Sequence, residues 1–204
     1  MNRRLSYNGN IGSVTVMRKL EMISYTDFQY AAAPKTGTTW FIKAAYEAGL
    51  GHKKKTNLHD PPPDGHKGFV VTTIRHPYDW LVSYYLSLRG GTVGVVGVDL
   101  FCWIARKSPS VEAFINNYLR MFPGRVTEMF DSYKANTVIR LEDYPESAIE
   151  IFDTFRNSRV SCDGQVRKIT PQNARKGSPH ITNRRQKEAV ISAELEFCET
   201  YDYF

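Results

Sequence analysis

The stretch YAAAPKTGTTWFIKAAYEAG, residues 30–49, decides how the chain folds. It begins as an apolar strand, turns sharply through Pro34 and Gly37, and continues as a helix over 38–48 that Gly49 and Gly51 stop. The turn is not the phosphate loop of nucleotide-hydrolysing proteins. It has one glycine where that loop has two, Lys35 precedes the glycine, and no Gly-Lys-Ser/Thr occurs. The backbone N–H groups of Gly37, Thr38 and Thr39 stand at a helix start. They have no intrahelical partners and carry partial positive charge, so an anion is their natural ligand. Gly37 permits a close approach, the hydroxyls of Thr38 and Thr39 add donors, and Lys35 adds a full charge. The Gly-Lys-Ser/Thr arrangement that holds Mg²⁺ in that loop is missing, which suits the turn to an anion handled without a metal. Trp40 offers a flat face for a base.

Outward from this stretch, the first strand is expected over 28–33. Residues 52–68 read as a proline-rich polar connection. FVVTTI, residues 69–74, is β-branched and apolar on both alternations, the pattern of a strand covered on both faces. Pro77 at a first helical position opens PYDWLVSYYLSLR. The glycine-rich segment 90–98 follows a helix rather than a strand and is read as a break, not as a dinucleotide fingerprint. Helices are expected over 99–107 and 110–121, the second capped by Ser110, then a strand over 136–141 and an amphipathic helix over 144–155. A basic loop over 156–180 leads to a last helix over 184–198, capped by Thr182. Strands alternating with helices predict an α/β fold with a parallel sheet, whose ligands bind outside the carboxyl ends of the strands. The turns at 34–40 and 75–79 each follow a strand and are expected on one rim.

Bulk properties agree with a globular domain: 204 residues, 42% hydrophobic and 24% charged. No apolar run approaches the roughly 18 residues that span a bilayer. Residues 1–16 have no continuous apolar core or cleavage site and are read as part of the fold rather than a signal peptide. Cys102, Cys162 and Cys198 are far apart, odd in number and in no C-x-x-C pair. That argues for reduced thiols in a cytoplasm, against a disulfide framework and against a zinc site. The net charge of +6 fits an anionic ligand.

In the second turn, IRHPYDWLVSYY over 74–85, Arg75 leaves the strand end and Ser83 lies eight positions on, inside the next helix. An arginine and a hydroxyl near a helix start can grip a second phosphate; Arg75 paired with Asp79 is the plainer alternative. Taken together, the two turns resemble a known family. PKTGTTW, 34–40, looks like the 5′-phosphosulfate loop of the sulfotransferases that use 3′-phosphoadenosine 5′-phosphosulfate (PAPS). RHPYDWLVSYY, 75–85, resembles their 3′-phosphate motif. VIRLEDYPES, 138–147, is similar to the strand-then-Glu-Asp segment of many bacterial members, ARKGSP, 174–179, to the basic loop that closes over the 3′-phosphate, and ETYDYF, 199–204, to family C-termini. The likeness is sharp at the first two motifs and loose at the others.

The resemblance implies a three-layer α/β/α fold with a central parallel sheet, P-loop NTPase-like, forming a single domain over 1–204 with 1–25 as an extension or edge structure. It implies transfer of a sulfuryl group from PAPS to a hydroxyl or amine, with adenosine 3′,5′-bisphosphate (PAP) released and no metal required. Lys35, Thr36, Gly37, Thr38, Thr39, Trp40, Arg75, Ser83, Arg175, Lys176 and Gly177 match the donor-binding positions, with Trp40 stacked on adenine and Lys35 stabilising the bridging oxygen in the transition state. His59, in KKKTNLHDPP, stands near the family's catalytic histidine; His66, Asp60 and Glu47 are alternatives for the base. The acceptor is expected to be a small molecule or carbohydrate, with no nucleic acid and no membrane as partner. At 204 residues the chain is short for the family, so its acceptor-recognition segments are expected to be reduced. His76 is expected to position backbone rather than to catalyse. Tyr84, Tyr85, Phe101, Trp103 and Phe114 are expected in the core. Rival readings are a P-loop nucleotide-binding or kinase-like protein that needs ATP and Mg²⁺, and a non-catalytic anion- or polysaccharide-binding module that uses the net charge and Lys53, Lys54 and Lys55. The scattered basic residues carry no nucleic-acid motif.

Overall fold

A computed structural model describes residues 23–24, 28–51, 62, 65, 67–90, 99–156, 158–170 and 183–204. In chain order its elements are β1 (Ile23–Ser24), β2 (Gln29–Ala31), α1 (Thr38–Glu47), β3 (Val70–Ile74), α2 (Pro77–Arg89), α3 (Leu100–Lys107), α4 (Val111–Met121), α5 (Arg125–Asp131), β4 (Thr137–Arg140), a 3₁₀ turn (Leu141–Asp143), α6 (Glu146–Phe155), α7 (Asp163–Val166), α8 (Arg184–Ala193) and α9 (Leu195–Tyr201). The strands form one sheet in the order β1-β2-β3-β4. β2, β3 and β4 run parallel, with Ala31 opposite Thr72 and Thr72 opposite Val138. β1 closes one edge antiparallel to β2. The three expected strands are thus present and parallel.

All five residues of β3 are buried, as a strand apolar on both alternations requires. Val70 and Ile74 belong to one apolar cluster, which holds side chains of α2, α3, α4, α5, α8 and α9. Val71 belongs to a second cluster, which holds side chains of α1, α6 and α7. Alternating strand residues thus feed two helical cores, an α/β arrangement compatible with three layers.

Local chemistry sets the helix boundaries. Ser110 accepts from the Ala113 amide at 3.2 Å and Asp99 from the Cys102 amide at 2.8 Å, each satisfying an orphan donor. Gly49, at φ +82°, ends α1 as a left-handed stop. The last helix departs from expectation in two ways. Asn183, accepting from the Gln186 amide at 3.2 Å, is its cap; Thr182 lies outside the described residues. The continuous 184–198 pattern is also broken at Glu194, which joins α8 to α9. Glu194 is 1% exposed, and its carboxylate accepts from the Gly124 and Thr127 amides, both at 2.9 Å, from the Thr127 hydroxyl at 2.6 Å and from the Tyr118 hydroxyl. It thereby caps α5, a helix that the sequence pattern did not predict. α7 likewise lies inside the segment read as loop. Tyr84, Tyr85, Phe101 and Phe114 are core residues as expected, whereas Trp103 is 56% exposed. Among the described residues no helix is long and apolar enough to cross a membrane.

Candidate functional site

The turns that follow β2 and β3 leave neighbouring parallel strands, which lie about 4.8 Å apart across the sheet. Two hydrogen bonds then join them. Trp80 Nε1, in the first turn of α2, donates to the Pro34 carbonyl at 2.7 Å. Lys35 Nζ donates to Ser87 Oγ at 3.1 Å. Trp80, Ser83 and Ser87 are spaced i, i+3, i+7, which puts them on one side of α2, the side facing the first turn. Arg75 follows β3 directly, is half-buried, and forms no hydrogen bond or ion pair among the described residues. The Arg75–Asp79 pair weighed on sequence grounds is therefore not formed. Ser83 is half-buried beside them, and the hydroxyl that Lys35 engages is that of Ser87.

The first turn is held from within. Thr36 and Thr38 hydroxyls both donate to the Ala33 carbonyl, at 2.7 and 3.3 Å. In this structure the Thr38 hydroxyl is turned to the Ala33 carbonyl. Thr39 is exposed. Gly37 sits at φ +80° as N-cap of α1, and no side chain caps it. Glycine is needed there for the backbone angle; an added Cβ would lie 2.5 Å from Leu141 Cδ1, a terminal methyl that would have to turn aside. Below the turn, Tyr30, Thr73 and Tyr144 hydroxyls form a chain, 3.0 and 2.6 Å apart. Trp40 is 7% exposed, donates from Nε1 to the Ile169 carbonyl at 3.2 Å, and packs its ring 4.7 Å from Tyr144. It is a core residue here, not the open face for adenine that its position in the motif implied.

The second turn is held from the C-terminus. The His76 amide donates to Glu142 Oε1 at 2.9 Å, and the Tyr203 hydroxyl donates to Glu142 Oε2 at 2.8 Å. Arg140 holds Asp143 through Nε at 2.6 Å and a terminal nitrogen at 3.0 Å, and its other terminal nitrogen donates to the carbonyls of Tyr201 and Asp202. His76 caps α2: its Nδ1 accepts from the Tyr78 amide at 3.2 Å. Burial, aided by the charge of Lys187, pulls the imidazole below its ordinary pKa, against Asp79 and Glu142. Trp80, Arg140, Glu142 and Tyr203 lie inside the quoted motifs but carried no assigned role, and Ser87 lies just beyond them. The Trp80-Ser83-Ser87 stripe was a usable signal; Glu142 and Tyr203 are 61 residues apart, and nothing local links them.

Glu47, one alternative for the base, lies exposed in the last turn of α1, about 14 Å along the helix from Thr38, and is too remote to serve this rim. His59, His66, Asp60, Arg175, Lys176 and Gly177 lie outside the described residues. The described residues on either side of the last three have partners in the two turns. Ile169 meets Trp40 in the first turn of α1, and the Asn183 amide donates to the Tyr78 hydroxyl at 3.2 Å, in the first turn of α2. Scanned against protein-family models, curated proteins and solved structures, the chain matches none of them.

Proposed function

We propose that the rim built by the two turns binds a doubly anionic adenosine donor, PAPS, and that the protein transfers its sulfuryl group to a hydroxyl or amine of a small-molecule or carbohydrate acceptor. The observation that carries this reading is the bonded pair of turns: the Trp80–Pro34 and Lys35–Ser87 hydrogen bonds tie the turn bearing Lys35 to the helix that follows the half-buried cation Arg75, beyond the ends of adjacent parallel strands. Two positive groups at a parallel-sheet rim, each beside a helix start, suit a ligand with two separated anionic groups. In this reading the P-loop NTPase-like architecture, PAP as product and a cytoplasmic location go with the family resemblance. The donor set is Lys35 and the open amides at the start of α1 for the phosphosulfate, and Arg75 with Ser83 for the 3′-phosphate. Arg175, Lys176 and Gly177 belong to a segment whose flanks meet both turns.

The acceptor oxygen attacks sulfur, the bond from sulfur to the bridging phosphate oxygen breaks, and the acceptor proton passes to a base, for which His59 is the proposal. Lys35 acts on the bridging oxygen as its charge develops. The test is a thermal-shift comparison of PAP, PAPS, ATP with Mg²⁺ and heparin, followed by transfer of labelled sulfate from PAPS to an acceptor panel. Stabilisation by PAP ahead of the others is expected, because a ligand bound only by the folded state raises the melting point. A shift only with ATP and Mg²⁺, or only with heparin, would replace this reading with one of its rivals.

A further inference from the structure

We infer that His76 is a positioning residue for Arg75, and that it sets the anion-gripping turn only while its imidazole is neutral. The inference rests on the reading of Arg75 as a donor-phosphate ligand. Its physical basis is the cap. His76 is 7% exposed, and Nδ1 accepts the Tyr78 amide at 3.2 Å, which fixes the proton of the neutral ring on Nε2. Protonation would put a second N–H on Nδ1, facing the amide it now accepts, so the cap would be lost and two donors would oppose each other.

Among the described residues Asp79 and Glu142 favour an imidazolium, but burial and Lys187 outweigh them. The groups facing it are Lys187 from α8, Asp79 and Tyr78 from α2, Glu142 from the 3₁₀ turn and Tyr203 from the C-terminal segment. Lys187 opposes a second positive charge. Both Glu142 oxygens already accept hydrogen bonds, one from the His76 amide and one from Tyr203. Nε2 has no hydrogen-bond partner among the described residues. Arg75 is bonded to His76 through one peptide link, between a strand end and this cap. Movement of the cap therefore redirects Arg75 first.

The sign of the effect follows from the direction of the shift. A histidine whose folded pKa is lowered stabilises the fold above its ordinary value of 6.5, and loses that contribution as pH falls through the lower folded value. The cap should therefore fail on the acid side.

The experiment measures PAP affinity by calorimetry between about pH 5 and 8 for the wild type, His76→Ala and His76→Asn, with a melting curve of each protein as a folding control. The phosphates of PAP titrate in the same range, but identically for all three proteins, so only differences between curves are read. Expected is a loss of roughly fivefold in His76→Ala at pH 8, the size of a typical N-cap contribution, largely recovered in His76→Asn, whose amide oxygen is a good cap. Wild type should weaken toward pH 5 more steeply than His76→Asn. A ring ¹⁵N titration of the wild type, which needs no variant, should find the Nε2–H tautomer and a pKa below that of an exposed histidine. Superimposable pH curves for wild type and His76→Asn, or an Nδ1–H tautomer, overturn the inference while leaving the donor site standing. Absence of PAP binding to wild type at any pH removes the donor-site reading and this inference together.

Discussion

Trp80 Nε1 and the Pro34 carbonyl, 2.7 Å apart and 46 positions apart in sequence, bind the start of α2 to the turn after β2. The same indole lies stacked 5.0 Å from Tyr84 and 6.2 Å from Phe101, so its ring is locked in the core while its one polar atom reaches the rim. Replacement by Phe keeps most of the packing and deletes the bond. Trp80→Phe is expected to cost about 1 kcal/mol in urea unfolding, the usual net worth of such a bond, with the Pro34 carbonyl left unpaired. PAP affinity is expected to fall as well, although Trp80 lies in neither matched binding position. Unchanged affinity would mean that the two turns hold their spacing without this tie.

Lys35 is the charge proposed to act on the breaking bond. Lys35→Ala is expected to lower the rate of sulfuryl transfer by about 10²–10³-fold or more, the range found for removal of one transition-state donor, while retaining part of the PAP affinity through Arg75. Labelled-sulfate transfer and calorimetry on the same preparation separate the two effects. Full turnover in the variant would remove Lys35 from the mechanism.

Gly37 combines a φ of +80° with Leu141 Cδ1 at 2.5 Å from any added Cβ. Gly37→Ala is expected to destabilise by about 1–2 kcal/mol from left-handed backbone strain, with the Leu141 methyl turning aside. Denaturant midpoints give the number. A loss of only a few tenths would show that the turn relaxes out of its left-handed conformation at little cost.

Glu194 should make stability depend on pH far from the rim. Burial pushes its carboxyl up to about 7, against the amides of Thr127, Val126 and Gly124 that favour the charged form. A raised folded pKa contributes stability below the ordinary value of 4.5 and loses it as pH rises toward 7, so unfolding free energy is expected to decline across that window. Glu194→Gln removes the titration. It also turns an NH₂ toward the Gly124 or the Thr127 amide, since these donate to different carboxylate oxygens. The variant should therefore be less stable by about 1–3 kcal/mol and show a flatter pH profile between those limits. An unchanged slope would assign the titration elsewhere.

What the chain alone determined is whatever depends on neighbours within a few residues. The β-branched run before Arg75, the glycine stop at 49, the Ser110 cap and the proline opening α2 are local steric and hydrogen-bonding facts, and the structure keeps all four. Two turns on one rim also followed, because parallel strands deliver their carboxyl ends to the same side. Tertiary packing decided which atoms do the holding. Trp40 and Trp80 are both indoles beside a turn, yet Trp40 is closed against Tyr144 and Ile169 while Trp80 bridges the two turns. Ser83 fits the motif, but Ser87, one helical turn further, receives Lys35. The 184–198 helix pattern has no breaker in it, and it bends because a buried carboxylate at position 194 is needed by amides 70 and 67 residues away. Periodicity reports which side of an element is apolar. It carries no information about which distant donor must be satisfied there, and unsatisfied buried donors are costly enough to override it.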